Sequence, residues 1–203
     1  QDKFGSARHA EPERPLQRMC VVSDPMGNVF GHRKPHSQPA VLFLDIDGVL
    51  NSQASRRAGG DALEQGELPT FESQLPTAEM LALLAEIARS VAPLSIVLSS
   101  TWRCKPDTRA AVVESLRTVG LELSGDTPEL EALCRGDRVD EILACLSVER
   151  PPWVVLDDMD LLAMNTKLTD AHFVRTDDAV GLTRAKADEA IAKLQAQRNG
   201  QRS

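Results

Sequence analysis

Three apolar runs in this chain each end in side chains suited to phosphate or metal. Ala40-Val41-Leu42-Phe43-Leu44 closes on Asp45-Ile46-Asp47, Leu94-Ser95-Ile96-Val97-Leu98 on Ser99-Ser100, and Trp153-Val154-Val155-Leu156 on Asp157-Asp158. A continuous apolar run of this length, bounded by polar residues, is the pattern of a strand buried on both faces of a parallel sheet. Ligands of such sheets bind beyond the carboxyl ends of the strands. The three endings therefore belong on one rim, with four carboxylates and two hydroxyls around one point. Carboxylates crowded together repel one another unless a cation sits among them. An oxygen-only donor set suits a hard ion, Mg²⁺ first, and such an ion completes its octahedron with water and substrate phosphate. The chemistry indicated is phosphoryl transfer.

The segments between these runs predict the elements that would hold the rim in place. Thr77 to Val91 carries Met80, Leu83, Leu84, Ile87 and Val91 at helical spacing, with Glu79 in the first turn. Asp107 to Val119 predicts a helix stopped at Gly120, and Arg138 to Leu146 another, with Val139, Ile142, Leu143 and Leu146 inward. Leu121 to Leu123 reads as a short strand and His172 to Arg175 as a weaker one, and Thr183 caps a last helix to about Leu194. Strands alternating with helices predict an α/β three-layer sandwich, a parallel sheet with helices on both faces. Residues 1–39 are polar and rich in Pro, Arg, His and Gly, and read as a flexible extension; 40–197 form the domain and 198–203 a tail.

Composition narrows the function classes. Hydrophobic residues make up 42% and aromatics only 3%, so the core must be aliphatic. A net charge of -7 argues against a general nucleic-acid binder, though not against a basic patch beside a site. No run approaches the roughly 18 apolar residues of a membrane span, and no obligate protein partner is evident. Cys20, Cys104, Cys134 and Cys145 lack metal-binding spacing and read as free thiols in a reducing, cytoplasmic-type compartment.

Leu42-Phe43-Leu44-Asp45-Ile46-Asp47-Gly48-Val49-Leu50 resembles the first motif of the haloacid dehalogenase (HAD) superfamily. Val97-Leu98-Ser99 resembles its second motif and Val155-Leu156-Asp157-Asp158 its fourth, in the right order across roughly residues 40–185. Four features resemble the HAD domain associated with Swiss army knife RNA repair proteins. These are Asp45 to Asn51, Leu98 to Arg103, Arg138-x-x-Glu141-Ile142 and Gly181-Leu182-Thr183. The resemblance implies a HAD-like Rossmannoid fold and a Mg²⁺-dependent phosphatase. Asp45 would be its nucleophile, forming an aspartyl-phosphate. Asp47 would be the acid and base, the residue that marks phosphatases rather than dehalogenases. Magnesium would sit on Asp45, the Asp47 carbonyl and Asp157, with Asp158 a ligand or an orienter. Ser99 would bond the transferring phosphoryl group, and Gly48 would let the chain turn beside it. The superfamily's third motif is usually a Lys, but none lies between Lys105 and Lys167. Arg138, at a helix start, is the first candidate for that charge and Arg135 the competitor.

Each signal has a structural alternative. Asp-x-Asp-Gly also opens calcium loops, but the EF-hand needs Gly at its sixth position and Glu at its twelfth, where this chain has Leu50 and Arg56. Ser99 alone is an ordinary strand-end serine, and Asp157-Asp158 alone could be a cap. Trp102 reads as packing and His172 as structural. Ser100, Arg103 and the pair Arg56-Arg57 are candidate phosphate contacts, with solvated charge as the alternative for the arginines.

The stretch Asn51 to Pro76, Gly-rich and polar, can form a flap but no globular cap, so the site is predicted to be nearly capless. An open site with Arg56, Arg57, Arg103 and Lys105 nearby favours a phosphorylated polymer, a nucleic-acid end first. A small-molecule phosphatase (nucleotide or sugar phosphate) and a catalytically inactive binding module are the alternatives.

Overall fold

The structure, a computed structural model, describes residues 38–58, 71, 74–131, 137–146 and 150–201. Nearly all of the expected N-terminal extension therefore lies outside the described residues, as do Cys20, Cys134 and Arg135. Five strands form one parallel sheet: β1 (Ala40–Leu44), β2 (Leu94–Leu98), β3 (Leu123–Asp126), β4 (Trp153–Asp157) and β5 (Phe173–Arg175). Their order is β3-β2-β1-β4-β5. The chain thus builds outward from β1 through β2 to β3, then returns to lay β4 and β5 on the other side of β1. Between β1 and β4 lies the topological switch point, where parallel sheets open a crevice.

Alternation along the strands explains the three layers. Leu42, Leu44, Ile96, Leu98, Val154 and Leu156 join one apolar cluster with α2 (Ala78–Ser90), α3 (Pro106–Thr118) and α6 (Arg184–Gly200). Val41, Phe43, Val97, Trp153 and Val155 join another with α4 (Arg138–Cys145) and α5 (Leu161–Met164). The α/β sandwich expected from the alternation is the observed fold. Side-chain caps fix the helix starts: Thr77 accepts from the Met80 amide, Asp137 from Val139 and Asp140, and Thr183 from Lys186.

The expected boundaries shift at two places. β3 starts at Leu123 and runs through polar Gly125 and Asp126, because its partner β2 supplies the ladder across a register shift between Ile96 and Val97. The last helix continues past Leu194 to Gly200, so the tail begins later. Gln197 fastens that extra turn by bonding the Trp153 amide and carbonyl, and Arg198 bonds the carbonyls of Ala92 and Pro93. A short helix α1 (Gln53–Ala58) and a 3₁₀ turn (Thr101–Cys104) lie in segments with no predicted element. Among the described residues no helix is long and apolar enough to cross a membrane.

Candidate functional site

β1 and β4 pair with Leu44 opposite Leu156, so the residues that follow, Asp45 and Asp157, emerge side by side at the switch point. The Asp45 amide bonds the Leu156 carbonyl at 3.0 Å, and the Ser99 amide bonds the Leu44 carbonyl at 2.8 Å. Three strand ends are thereby stapled to one rim. Asp45, Ser99 and Asp157 are all buried.

The carboxylates are bridged by a cation from the chain itself. Arg138, the first residue of α4, points one guanidinium nitrogen between them, 2.6 Å from Asp45 Oδ2 and 2.6 Å from Asp157 Oδ2. The other oxygens are held by backbone: Asp45 Oδ1 accepts from the Ile46 amide at 2.8 Å and Asp157 Oδ1 from the Met159 amide at 2.9 Å. Burial opposes the Arg138 charge, but Asp45 and Asp157 together outweigh it and hold the guanidinium protonated. For Asp157, burial and then the neighbouring Asp45 charge push the carboxyl up to about 7, against the pull of Arg138. Asp158 is raised by burial and then by Asp45 and Asp178.

Asp45, Asp157 and Asp158 each offer an oxygen within 4.8 Å of the others. Three clustered acidic oxygen donors, with the proton affinities of Asp157 and Asp158 raised, suit a hard divalent ion. Gly48 makes room for the third of them. Its φ is +68°, and a Cβ there would stand 2.6 Å from Asp158 Cγ. Thr176 Oγ1 donates to the Gly48 carbonyl at 2.7 Å and fixes that turn.

A pH dependence follows. The folded-state pKa of Asp157 lies above its unfolded value, so the stability it contributes is full at low pH and is lost as pH rises toward and through about 7. A divalent ion, which competes with that proton, offsets the loss. The metal-free protein should melt at progressively lower temperature from about pH 5 to pH 8, and Mg²⁺ should raise the melting temperature more at pH 8 than at pH 5. Differential scanning fluorimetry with and without Mg²⁺ reads both slopes.

Ser99 is fully buried, and its hydroxyl is one of few buried side-chain polar atoms among the described residues without a hydrogen-bond partner. Buried hydroxyls are normally paired, so this one has hydrogen-bonding capacity to spare at the rim. Ser100, its neighbour, is also buried, but its hydroxyl accepts from the Trp102 amide and its carbonyl from Arg103. The structure gives Ser100 the role of a cap on the 3₁₀ turn.

Asp47 stands on the outer rim, its side chain about half exposed. Both of its oxygens are held: Trp102 Nε1 donates to Oδ2 at 2.9 Å, and Asn51 Nδ2 donates to Oδ1 at 3.0 Å. Arg56 comes within 3.7 Å of Oδ1, while its second nitrogen pairs with Asp178 at 2.5 Å. Arg56 thus brings positive charge to the rim, whereas Arg57 and Lys105 are exposed. Trp102, read from sequence as packing, is buried but also orients Asp47. A Trp one turn beyond a polar strand end was the available signal.

Arg103 does not open onto the rim. Its side chain is 6% exposed, paired at 2.5 Å with Glu141 of α4 and bonded to the carbonyls of Ser100 and Thr127. The expectation of a phosphate contact gives way to a buried tie between the β2 end and the helix that carries Arg138. Glu141, one turn beyond Arg138 among inward-facing apolar residues, was the signal for this tie. Glu141→Ala strands the Arg103 charge and should cost about 3–5 kcal/mol of stability, measured by urea denaturation.

His172 stacks on Trp153 with ring centroids 4.1 Å apart and bonds its carbonyl, a structural role as expected. Cys104 is in a disulfide, which corrects the reading of four free thiols. Cys104 sits exposed at the end of its 3₁₀ turn, whereas Cys145 is half-buried on α4.

An acidic cluster thus lies at the switch point of this sheet, with a cation at the start of α4, the arrangement expected of a HAD-type domain. The chain belongs to the family described as the HAD domain in Swiss Army Knife RNA repair proteins, whose model matches residues 41–187. Nothing among curated proteins or solved structures matches it.

Proposed function

We propose that this domain is a Mg²⁺-dependent phosphohydrolase that works through an aspartyl-phosphate on Asp45 and acts on terminal phosphates of nucleic acid. The observation that carries the reading is the unpaired, buried Ser99 hydroxyl beside the Asp45–Arg138–Asp157 bridge. It pairs a phosphoryl-oxygen donor with a nucleophile already held in place. Asp45, Asp157 and Asp158, with the Asp47 carbonyl, would hold Mg²⁺, which when bound neutralises charge on the phosphoryl oxygens.

The chain's own groups divide the reaction. The Asp45 carboxylate forms a bond to phosphorus as the bond to the leaving oxygen breaks. Ser99 donates to a phosphoryl oxygen, and Arg138 keeps Asp45 beside Asp157. Asp47 delivers a proton to the leaving oxygen, then takes one from the water that attacks the aspartyl-phosphate. Its half-exposed position on the rim gives that water access. The terminal phosphate of a nucleic acid fits the family's association with RNA repair and the positive charge of Arg56 on the rim.

The test is release of inorganic phosphate from p-nitrophenyl phosphate with Mg²⁺ and with EDTA, competed by 3′- and 5′-phosphorylated oligonucleotides and by sugar phosphates. Expected are EDTA-sensitive turnover and oligonucleotides as the strongest competitors. Stronger competition by a small ester would assign a small-molecule phosphatase. Absence of EDTA-sensitive turnover on every ester would make the domain a non-catalytic binding module.

A further inference from the structure

The Asp47 side of the site carries two aromatic rings in a chain that is only 3% aromatic. Trp102 bonds Asp47 through Nε1, and Phe71 lies over Trp102 with ring centroids 6.0 Å apart and planes inclined by 26°. Trp102 is 6% exposed, so Phe71 covers it. Phe71 is itself 42% exposed, which leaves a ring face open to solvent. An open ring face beside a site can take a planar partner by stacking. Asp47 also bonds Asn51, which bonds the carbonyl of Gln74 three residues beyond Phe71. The segment bearing Phe71 is thereby tied to the same carboxylate.

We propose that Phe71 is a stacking platform for the nucleobase of the leaving nucleoside. The proposal rests on the phosphohydrolase reading, in which Asp47 protonates the leaving oxygen. A leaving group that meets Asp47 must extend over the rim beyond it, and Trp102 with its cover Phe71 borders that rim. A planar base there extends the Trp102–Phe71 stack by one layer. Stacking reads the π-face of a base, so the selected class is a nucleoside 3′- or 5′-phosphate of any base. Sugar phosphates and phosphoserine or phosphothreonine proteins have no aromatic ring at that position.

Two ligands separate base from phosphate: a short oligonucleotide with a terminal phosphate on an ordinary nucleotide, and the same molecule with an abasic terminal residue. Both are made with 3′- and with 5′-phosphate, which distinguishes the two ends. Binding to the Asp45→Asn protein is measured by fluorescence anisotropy, and kcat/KM is measured on the wild type. The base-bearing ligand should bind about 5- to 100-fold more tightly at one of the two ends. Phe71→Leu, which keeps an apolar cover over Trp102, should reduce that ratio to near one, whereas Phe71→Trp should retain it. An equal affinity for both ligands overturns the proposal, as does a preference that survives both Phe71→Leu and Phe71→Ala. Because binding is read on Asp45→Asn, a wild type without turnover sinks the phosphohydrolase reading while the stacking test still returns its answer.

Discussion

Asp45→Asn should lower phosphate release by about 10⁴-fold or more, while leaving the melting temperature unchanged or raised. The two halves have separate causes. An amide is isosteric with the carboxylate and still accepts from the Ile46 amide, so the end of β1 keeps its geometry. It does not attack phosphorus, so the covalent step is lost and only water acting on bound substrate remains. On the stability side, Asp45 is the second largest cause of the raised Asp157 carboxyl, after burial. Removing its charge relieves that repulsion, which offsets the weakened link to Arg138. Loss of activity without loss of stability marks a group kept for chemistry at the expense of folding. Thermal melts beside a phosphate-release assay measure both halves.

Arg138→Met should be the most damaging substitution for folding and for turnover together. One guanidinium nitrogen bridges two buried carboxylates. Without it Asp45 and Asp157 face each other unpaired, a loss of about 3–5 kcal/mol in the metal-free protein. Mg²⁺ should recover part of this, because it offers the same two oxygens a cation. Turnover should fall about 10²- to 10³-fold even with saturating Mg²⁺, since the nucleophile is no longer held. Arg138→Lys should be far milder. The bridge is made by one nitrogen rather than by the planar fork that distinguishes Arg. Urea denaturation with and without Mg²⁺, and kcat for both variants, separate the contributions.

The rim was legible because a buried parallel strand announces itself as an unbroken apolar run, and its polar end marks the ligand side. Ala40–Leu44 and Leu94–Leu98 were readable to the residue for that reason. Arg138, the first candidate for the charge of the missing Lys, reaches Asp45 and Asp157 from the predicted helix start, whereas its competitor Arg135 lies outside the described residues. What stayed hidden depends on pairings across long sequence separations. Arg103 looked like a phosphate contact because its neighbours are Ser99 and Ser100, and nothing local reveals a partner 38 residues away at Glu141. Trp102 looked like packing because burial and a single directed N–H bond leave the same mark in a sequence. Its bond to Asp47 spans 55 residues. Asn51 is similar: its amide joins Asp47 to the Gln74 carbonyl, a contact set by how the first loop folds back. The short helix α1 carries no apolar periodicity because Gln53, Ala54 and Arg57 face solvent, and the amides of Gln53 and Ala54 are held by the Asp178 and Ala179 carbonyls.

The most direct measurement is trapping of the covalent species. The protein is mixed with Mg²⁺ and a phosphorylated oligonucleotide, quenched in acid during turnover, digested and analysed by peptide mass spectrometry. The expected result is a phosphoryl group on the peptide containing Asp45, absent when Mg²⁺ is replaced by EDTA and absent in Asp45→Asn. Turnover that persists in Asp45→Asn, or a phosphoryl group on any other residue, would contradict the assignment of Asp45 as the nucleophile.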